Sequence, residues 1–362
     1  MLKIALISNK FPPYPCGVGD YAYNLANSLA TYEDNEVYII TPHWEEQTKK
    51  TFLRGLLKFS TWGITSTFRI IKSLKKQKIQ ITHIQNTSTK NIYYYIIPLF
   101  IRLLTKAKVI ITIHEHTTKT KVGKLANLLS MFFCHHIIVQ EKEYIPIFKS
   151  IFFLKKKEIT FVSTPSNIPK STLQQKDEEI KALRAKYMKN HQLLITYFGF
   201  LVEHKGVSDI FEVCEPTRDF ILIISNFETF ASPYSENIKN IINSPKWLNS
   251  SFCTGFIPAE AVADLLHVSD ICIFPFKDGK KNRNASFSAA QLQGTYCITT
   301  HESLRGYQSD EHTYYASTNN IDELKKGIIF YLQQQLGKKY TEGDDNWYKL
   351  AASHKKIYQY YE

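Results

Sequence analysis

At 362 residues, with 44% hydrophobic and 22% charged residues, the chain is too long for one ordinary core and too apolar for a disordered or fibrous protein. The length suits two domains of about 150 to 180 residues each. A net charge of +12 points to an acidic partner surface, and six cysteines without Cys-x-x-Cys spacing read as reduced thiols of a cytoplasmic protein, not as disulfides or zinc ligands.

The chain opens with Met1 to Ser8, an apolar run too short for a signal peptide, which reads as a buried first strand at Lys3–Ile7. Phe11-Pro12-Pro13-Tyr14-Pro15-Cys16-Gly17-Val18-Gly19-Asp20-Tyr21 follows directly. Beyond it Tyr21, Leu25, Ser28 and Leu29 fall at helical spacing, with Ala22, Ala26 and Ala30 for close packing. A strand, a glycine loop and a helix start bring bare backbone N–H groups to the positive end of a helix dipole, which suits a phosphate. A plain strand-to-helix turn needs glycine too, so both readings stand. The spacing is not Gly-x-Gly-x-x-Gly, which disfavours NAD.

Between Glu46 and Glu115 there is no acidic residue, and the thirteen cations from Lys49 to Lys108 can account for the whole excess charge. Within 49–78, Phe52, Leu56 and Phe59 share one helical face, as do Ile64, Phe68 and Ile71, with Lys50, Arg54, Lys58, Arg69, Lys72 and Lys76 on others. Such a stripe suits an anionic membrane surface or an ordinary helix packed on its sheet. Nucleic acid is disfavoured, because no reader motif accompanies the charge.

Further strands are expected at Glu36–Ile40, Ile81–Ile84, Val109–Ile113 and His136–Val139. Ile92 to Leu104 has the length of a core helix, short of the ~20 residues of a membrane span. His83 ends the third strand, and Thr112-Ile113-His114-Glu115-His116 ends the fourth. The His-x-His pair is also compatible with metal, although two histidines without a third ligand make a weak signal.

Pro165 and Pro169 stop regular structure, and 171–190 reads as a charged connecting segment. Strands resume at Leu193–Phe198, Phe220–Ser225, Ser251–Thr254, Ile271–Phe274 and Tyr296–Thr299. Lys205-Gly206 follows the first of these, so the Lys205 ammonium lies beside a helix start and can neutralise a diphosphate leaving group. Unbroken Val/Ile/Leu strands alternating with helices predict an α/β protein with doubly wound parallel sheets. In the tail, Trp347, Leu350, Ala351, His354, Ile357 and Tyr361 form a last helical stripe.

The order of these motifs resembles that of retaining glycosyltransferases of the GT-B fold, specifically glycosyltransferase family 4. The residues that carry the likeness are the Pro-Pro turn with its glycine pair, Leu25-Ala26-Asn27-Ser28-Leu29-Ala30, and Gly199-Phe200-Leu201-Val202-Glu203-His204-Lys205-Gly206. Thr254-Gly255-Phe256-Ile257-Pro258, Ile271-Cys272-Ile273-Phe274-Pro275 and Gln293-Gly294-Thr295 continue it. The resemblance implies two Rossmann-like domains facing across a cleft, at 1–170 and 191–340, with 341–362 returning to the first. It implies a metal-independent enzyme without cofactor that takes a nucleoside-diphosphate-sugar, UDP- or GDP-linked, and a glycan or lipid-linked acceptor.

By the same resemblance the donor is held by Gly17, Gly19, Gly199, Lys205, Gly255, Ile257, Asp278, Gly279, Arg283 and Ser286. His114 lies near the donor sugar and, with Lys205, forms the catalytic pair; Asp20, Tyr21, His83 and Glu115 fall on the acceptor side. Two positions depart from the pattern. Phe200 replaces the usual arginine, and the family's glutamate pair is missing, Ala289 standing where the second belongs. Arg283 is then the substitute cation. The departures keep a different class open, a GT-B protein that binds nucleotide or sugar without turnover.

Overall fold

The computed structural model describes all residues except 15, 43–52, 58, 118, 174–176, 189, 230 and 341–346, and of residue 177 it describes the backbone. The chain divides into two compact units, Met1–Thr164 with Asn346–Glu362, and Pro165–Asp345.

The first unit is built on seven strands, β1 (Leu2–Ser8), β2 (Asn35–Ile40), β3 (Arg54–Gly55), β4 (Ile81–Asn86), β5 (Lys108–Ile113), β6 (His136–Val139) and β7 (Glu158–Phe161). All pair in parallel, in the order β3-β2-β1-β4-β5-β6-β7. Side chains alternate between two cores, which explains the unbroken apolar runs. Ala5 and Ile7 enter the core covered by α2 (Ile64–Gln77), α3 (Ile92–Leu104) and α4 (Lys121–Phe133). Ile4 and Leu6 enter the other, covered by α1 (Gly17–Ala30) and the C-terminal helix Trp347–Gln359. Each large apolar side chain covered on either face contributes about 1.5–3 kcal/mol when fully buried. A short helix, α5 (Tyr144–Lys149), and a 3-10 turn, Phe152–Leu154, lead into β7.

The C-terminal helix is fixed by polar as well as apolar contacts. His83 Nδ1 lies 2.6 Å from the Tyr358 hydroxyl, the Tyr21 hydroxyl 3.3 Å from His354 Nε2, and Lys355 Nζ 2.6 Å from Asp34.

The second unit has β8 (Leu193–Phe198), β9 (Asp219–Ile224), β10 (Ser251–Cys253), β11 (Ile271–Phe274), β12 (Tyr296–His301), β13 (Gly306–Gln308) and β14 (Thr313–Ser317). Their order is β10-β9-β8-β11-β12-β14-β13, parallel except for the antiparallel edge pair β13–β14. Helices α6 (Asp177–Met188), α7 (Val207–Val213), α8 (Pro233–Ile242), α9 (Ala259–Val268), α10 (Ala285–Leu292) and α11 (Ile321–Gln334) surround the sheet.

Several expectations change. The segment 171–190 is not simply a connection, because it contains α6. Ile180, Leu183 and Tyr187, spaced i, i+3, i+7 among the charges, pack on the core of the second unit. Arg184 holds α6 in place with two bonds to the Asp270 carboxylate, at 2.9 and 3.0 Å. Strands β3, β7, β13 and β14 were not expected; they are short or half-exposed edge pieces, or aromatic runs such as Thr313-Tyr314-Tyr315. The basic stretch 49–78 also divides. Residues 49–52 and 58 lie outside the described residues, whereas Phe59 and Ile71 are buried in the sheet core and, among the described residues of that apolar set, only Ile64 and Phe68 remain exposed. Among the described residues, no helix is long and apolar enough to cross a membrane.

Candidate functional site

In both sheets the first strand of the unit sits where the strand order reverses, β1 beside β4 and β8 beside β11. At such a switch point the loops at the carboxyl ends of neighbouring strands diverge and leave a crevice for ligands. The two stretches that the sequence marks, Gly17–Asp20 and Gly199–Gly206, follow these two strands.

In the second unit the loops after β8 and β11 interlock. Gly206 has φ +67, and a Cβ there would stand 2.1 Å from the Pro275 carbonyl oxygen, so only glycine fits. The Lys277 amide donates to the His204 carbonyl at 2.9 Å. Lys277 Nζ pairs with the buried Asp209 carboxylate at 2.7 Å. This leaves Lys205 at the rim, half-buried, with its ammonium 4.6 Å from the centre of the Phe276 ring. Gly199, at φ +141, abuts the Ser286 hydroxyl, 3.6 Å from the place a Cβ would occupy. Lys205, Gly199 and Ser286 are therefore gathered at one end of β8 and β11. The N-cap residue Asn284 does not cap α10 with its side chain, whose carboxamide oxygen instead accepts from the Lys281 amide at 2.6 Å.

The other donor candidates spread along the rim. Arg283 is half-buried on the loop entering α10, and Asp278 is exposed. Gly279 has φ +71 and backs onto the chain at His301–Glu302, 3.3 Å from a Cβ placed there. Gly255, at φ +72, leaves open space where a side chain would go, while Ile257 packs against the core. Phe200 is 39% exposed, so an apolar ring stands where the resemblance expects an arginine.

In the first unit the glycine pair splits into two roles. Gly17 starts α1, is exposed, and has nothing within 4 Å of the place a Cβ would occupy. Gly19 is a packing residue: a Cβ would stand 3.0 Å from the Lys10 carbonyl oxygen. The N-cap residue Cys16 makes no side-chain cap bond at the start of α1, so its first-turn amides suit an anion. Asp20 in that turn is half-buried, and burial pushes its carboxyl up to about 6.

Two residues expected on the acceptor side are buried among protein partners. His83 is fully buried, its Nε2 2.8 Å from Thr112 Oγ1 and its Nδ1 on Tyr358, so it joins sheet to helix. Tyr21 is also a core residue, its hydroxyl at His354 and its ring edge-on to His114 and Trp347. Glu115 is half-buried and accepts a bond of 3.0 Å from Ser88 Oγ.

His114 is buried, its Nδ1 2.7 Å from the Gln140 side-chain oxygen and its Nε2 2.9 Å from that of Gln85. Which ring nitrogen carries a proton follows from how the two amides are turned, and the Gln140 Nε2 is otherwise unpartnered. In either arrangement the ring is oriented by two glutamines. His116 turns elsewhere, toward Asn127 and the Phe148 ring, and burial pushes it down to about 4. Among the described residues, no group of three or more His, Cys, Asp and Glu side chains could hold a metal.

Sequence reasoning missed Lys119. Its ammonium is held by Asn127 at 2.8 Å and approaches Asn86, the last residue of β4, at 3.4 Å. Burial lowers it to about 8, opposed by the nearby Glu115 charge. In a lysine-rich stretch nothing separates it from Lys121 and Lys124; only folding brings it to the switch-point end of the sheet.

No protein-family model and no curated protein matches the sequence. Solved structures do match along nearly the whole chain. Sucrose-phosphate synthase from Thermosynechococcus elongatus superposes with a TM-score of 0.75 at 13% identity, covering 99% of each chain. A glycosyltransferase from Rickettsia africae gives 0.72 at 13% identity, covering 99% of this chain and 98% of its own. Anabaena HepE, in complex with UDP-glucose, gives 0.70 at 11% identity, covering 100% of this chain and 98% of its own. The chain thus has the GT-B fold, two Rossmann-like α/β units of the kind found in glycosyltransferases.

Proposed function

We propose that the chain is a glycosyltransferase that moves a sugar, with retention, from a nucleoside diphosphate to a glycan or lipid-linked acceptor. The observation that carries this reading is the Lys205 loop. Gly206 is forced against Pro275, and the turn so fixed presents an ammonium over the Phe276 ring at the switch-point end of the second sheet, the end at which Gly199 meets Ser286. That the solved neighbours include a complex with UDP-glucose supports the donor class.

In the proposed reaction the bond between the sugar's anomeric carbon and the leaving phosphate oxygen breaks. The acceptor oxygen bonds to the same face of that carbon, and its proton passes to the departing diphosphate. Lys205 offsets the charge growing on that diphosphate, with Arg283 and the hydroxyl and amide of Ser286 as further donors. The first-turn amides at Gly17 are the anion-binding group of the first unit. His114, locked by Gln85 and Gln140, sets the polar wall near the sugar, and Asp20 and Glu115 are the carboxylates left to meet acceptor hydroxyls. Chemistry of this kind depends chiefly on positioning and charge stabilisation.

Nucleotide release from UDP- and GDP-sugars, with and without Lys205→Ala, tests the reading. Turnover should fall at least ~10²-fold in the variant. Donor binding by the parent protein without any nucleotide release, over a broad set of acceptors, would instead favour the binding protein without turnover.

A further inference from the structure

A cluster of apolar side chains stands at the end of the first sheet opposite its switch-point loops. The C-terminal ends of α3 and α4 and the turn Phe152–Leu154 all lead into the starts of β5, β6 and β7, neighbouring strands of the parallel sheet. Leu103 is 70% exposed, Phe132 47%, Phe152 93% and Phe153 40%. They form one surface: the Phe132 and Phe153 rings lie 5.4 Å apart, and Arg102 on α3 and Lys157 beyond the turn both donate to backbone carbonyls at the end of α4, at 3.1 and 3.0 Å.

Its rim is basic. Arg102, Lys106, Lys155 and Lys156 are at the surface around it. No acidic residue occurs between Glu46 and Glu115 or between Glu115 and Glu141, and the nearest carboxylate in sequence is Glu158. A self-complementary contact between two copies would bring these cations face to face, which disfavours a dimer. An anionic bilayer is complementary on both counts: headgroup charge meets the lysines while protruding phenylalanines enter the interface.

We propose that this surface, rather than the 49–78 stretch, docks the protein on membranes rich in anionic lipid. The inference concerns attachment alone and holds whether or not the chain transfers sugar. A substrate attached to that membrane must then extend from the bilayer past the sheet to reach the switch-point loops, as a lipid carrying a glycan can.

The test is flotation of the full chain with vesicles of phosphatidylcholine alone or mixed with phosphatidylglycerol. Binding is expected only to the mixed vesicles and should weaken with salt. Phe152→Ser with Phe153→Ser, and separately Lys155→Glu with Lys156→Glu, should each reduce partitioning at least about tenfold. Phe256→Ser, which removes an equally exposed ring of the second unit, should leave it unchanged, and circular dichroism checks that every variant is folded. Absence of binding to mixed vesicles, equal binding by the patch variants, or self-association that the Phe152 and Phe153 changes abolish would overturn the proposal.

Discussion

Replacing Gly206 by alanine isolates the contact on which the Lys205 loop depends. Two costs add at this position. The left-handed backbone at φ +67 costs an alanine about 1–2 kcal/mol. The new Cβ also meets the Pro275 oxygen at 2.1 Å, and because that atom is backbone at the exit of β11, relief requires the strand end to move, costing a further ~1–3 kcal/mol. Gly255 supplies the control. Its φ is +72, but nothing lies within 4 Å of its Cβ position, so Gly255→Ala bears only the backbone cost. With about 2–4 °C lost per kcal/mol in a unit of this size, Gly206→Ala should melt about 4–20 °C lower than the parent and Gly255→Ala about 2–8 °C lower. Scanning calorimetry reads both, resolving the two units if they melt separately. Donor binding, measured by calorimetric titration with UDP-glucose and GDP-mannose, should weaken in Gly206→Ala because the loop that carries Lys205 is displaced. Equal melting losses in the two variants, with unchanged donor binding in Gly206→Ala, would refute the view that contact with Pro275 sets this loop.

Other outcomes follow from the first unit. Tyr358→Phe removes the hydroxyl that meets buried His83 and should cost about 1–3 kcal/mol in chemical denaturation, the penalty of an unsatisfied buried group. Burial pushes His136 and His354 down to about 4. Folded, they stay neutral while the unfolded chain takes up protons below about 6.5, so the first unit should lose stability as pH falls from about 6.5 toward 4. His354→Gln should flatten that slope of melting temperature against pH. Asp20 acts in the opposite direction: its raised pKa of about 6 means that the folded state holds a proton the unfolded chain has released, and stability falls as pH rises from about 4 to 6. Asp20→Asn should therefore stabilise the protein by about 1–3 kcal/mol at pH 7.5 and much less at pH 4. A melting temperature no higher at pH 7.5 would show that Asp20 is not desolvated.

What one sequence determines here is mostly local. Continuous Val/Ile/Leu runs such as 109–113 specify a strand covered on both faces, because period-two geometry sends successive side chains into two cores. Gly206 and its neighbour Lys205 stand out in the sequence because a Lys-Gly pair shortly after a strand exit forms a recognisable pattern. Helix α6 was hidden because its three apolar residues are outnumbered by charges, and β14 because an aromatic run names no partner until β12 lies beside it.

Function-bearing distances were decided only by the tertiary structure. Nothing in the sequence distinguishes Gly17, left open at a helix start, from Gly19, wedged on Lys10. Nor does it show that His83 turns toward Tyr358, 275 residues away, while Lys119 is carried to Asn86. Propensity and periodicity act over a few residues and fix which elements form. Which polar side chain is buried against a partner and which is left to meet a ligand depends on contacts between elements distant in the chain.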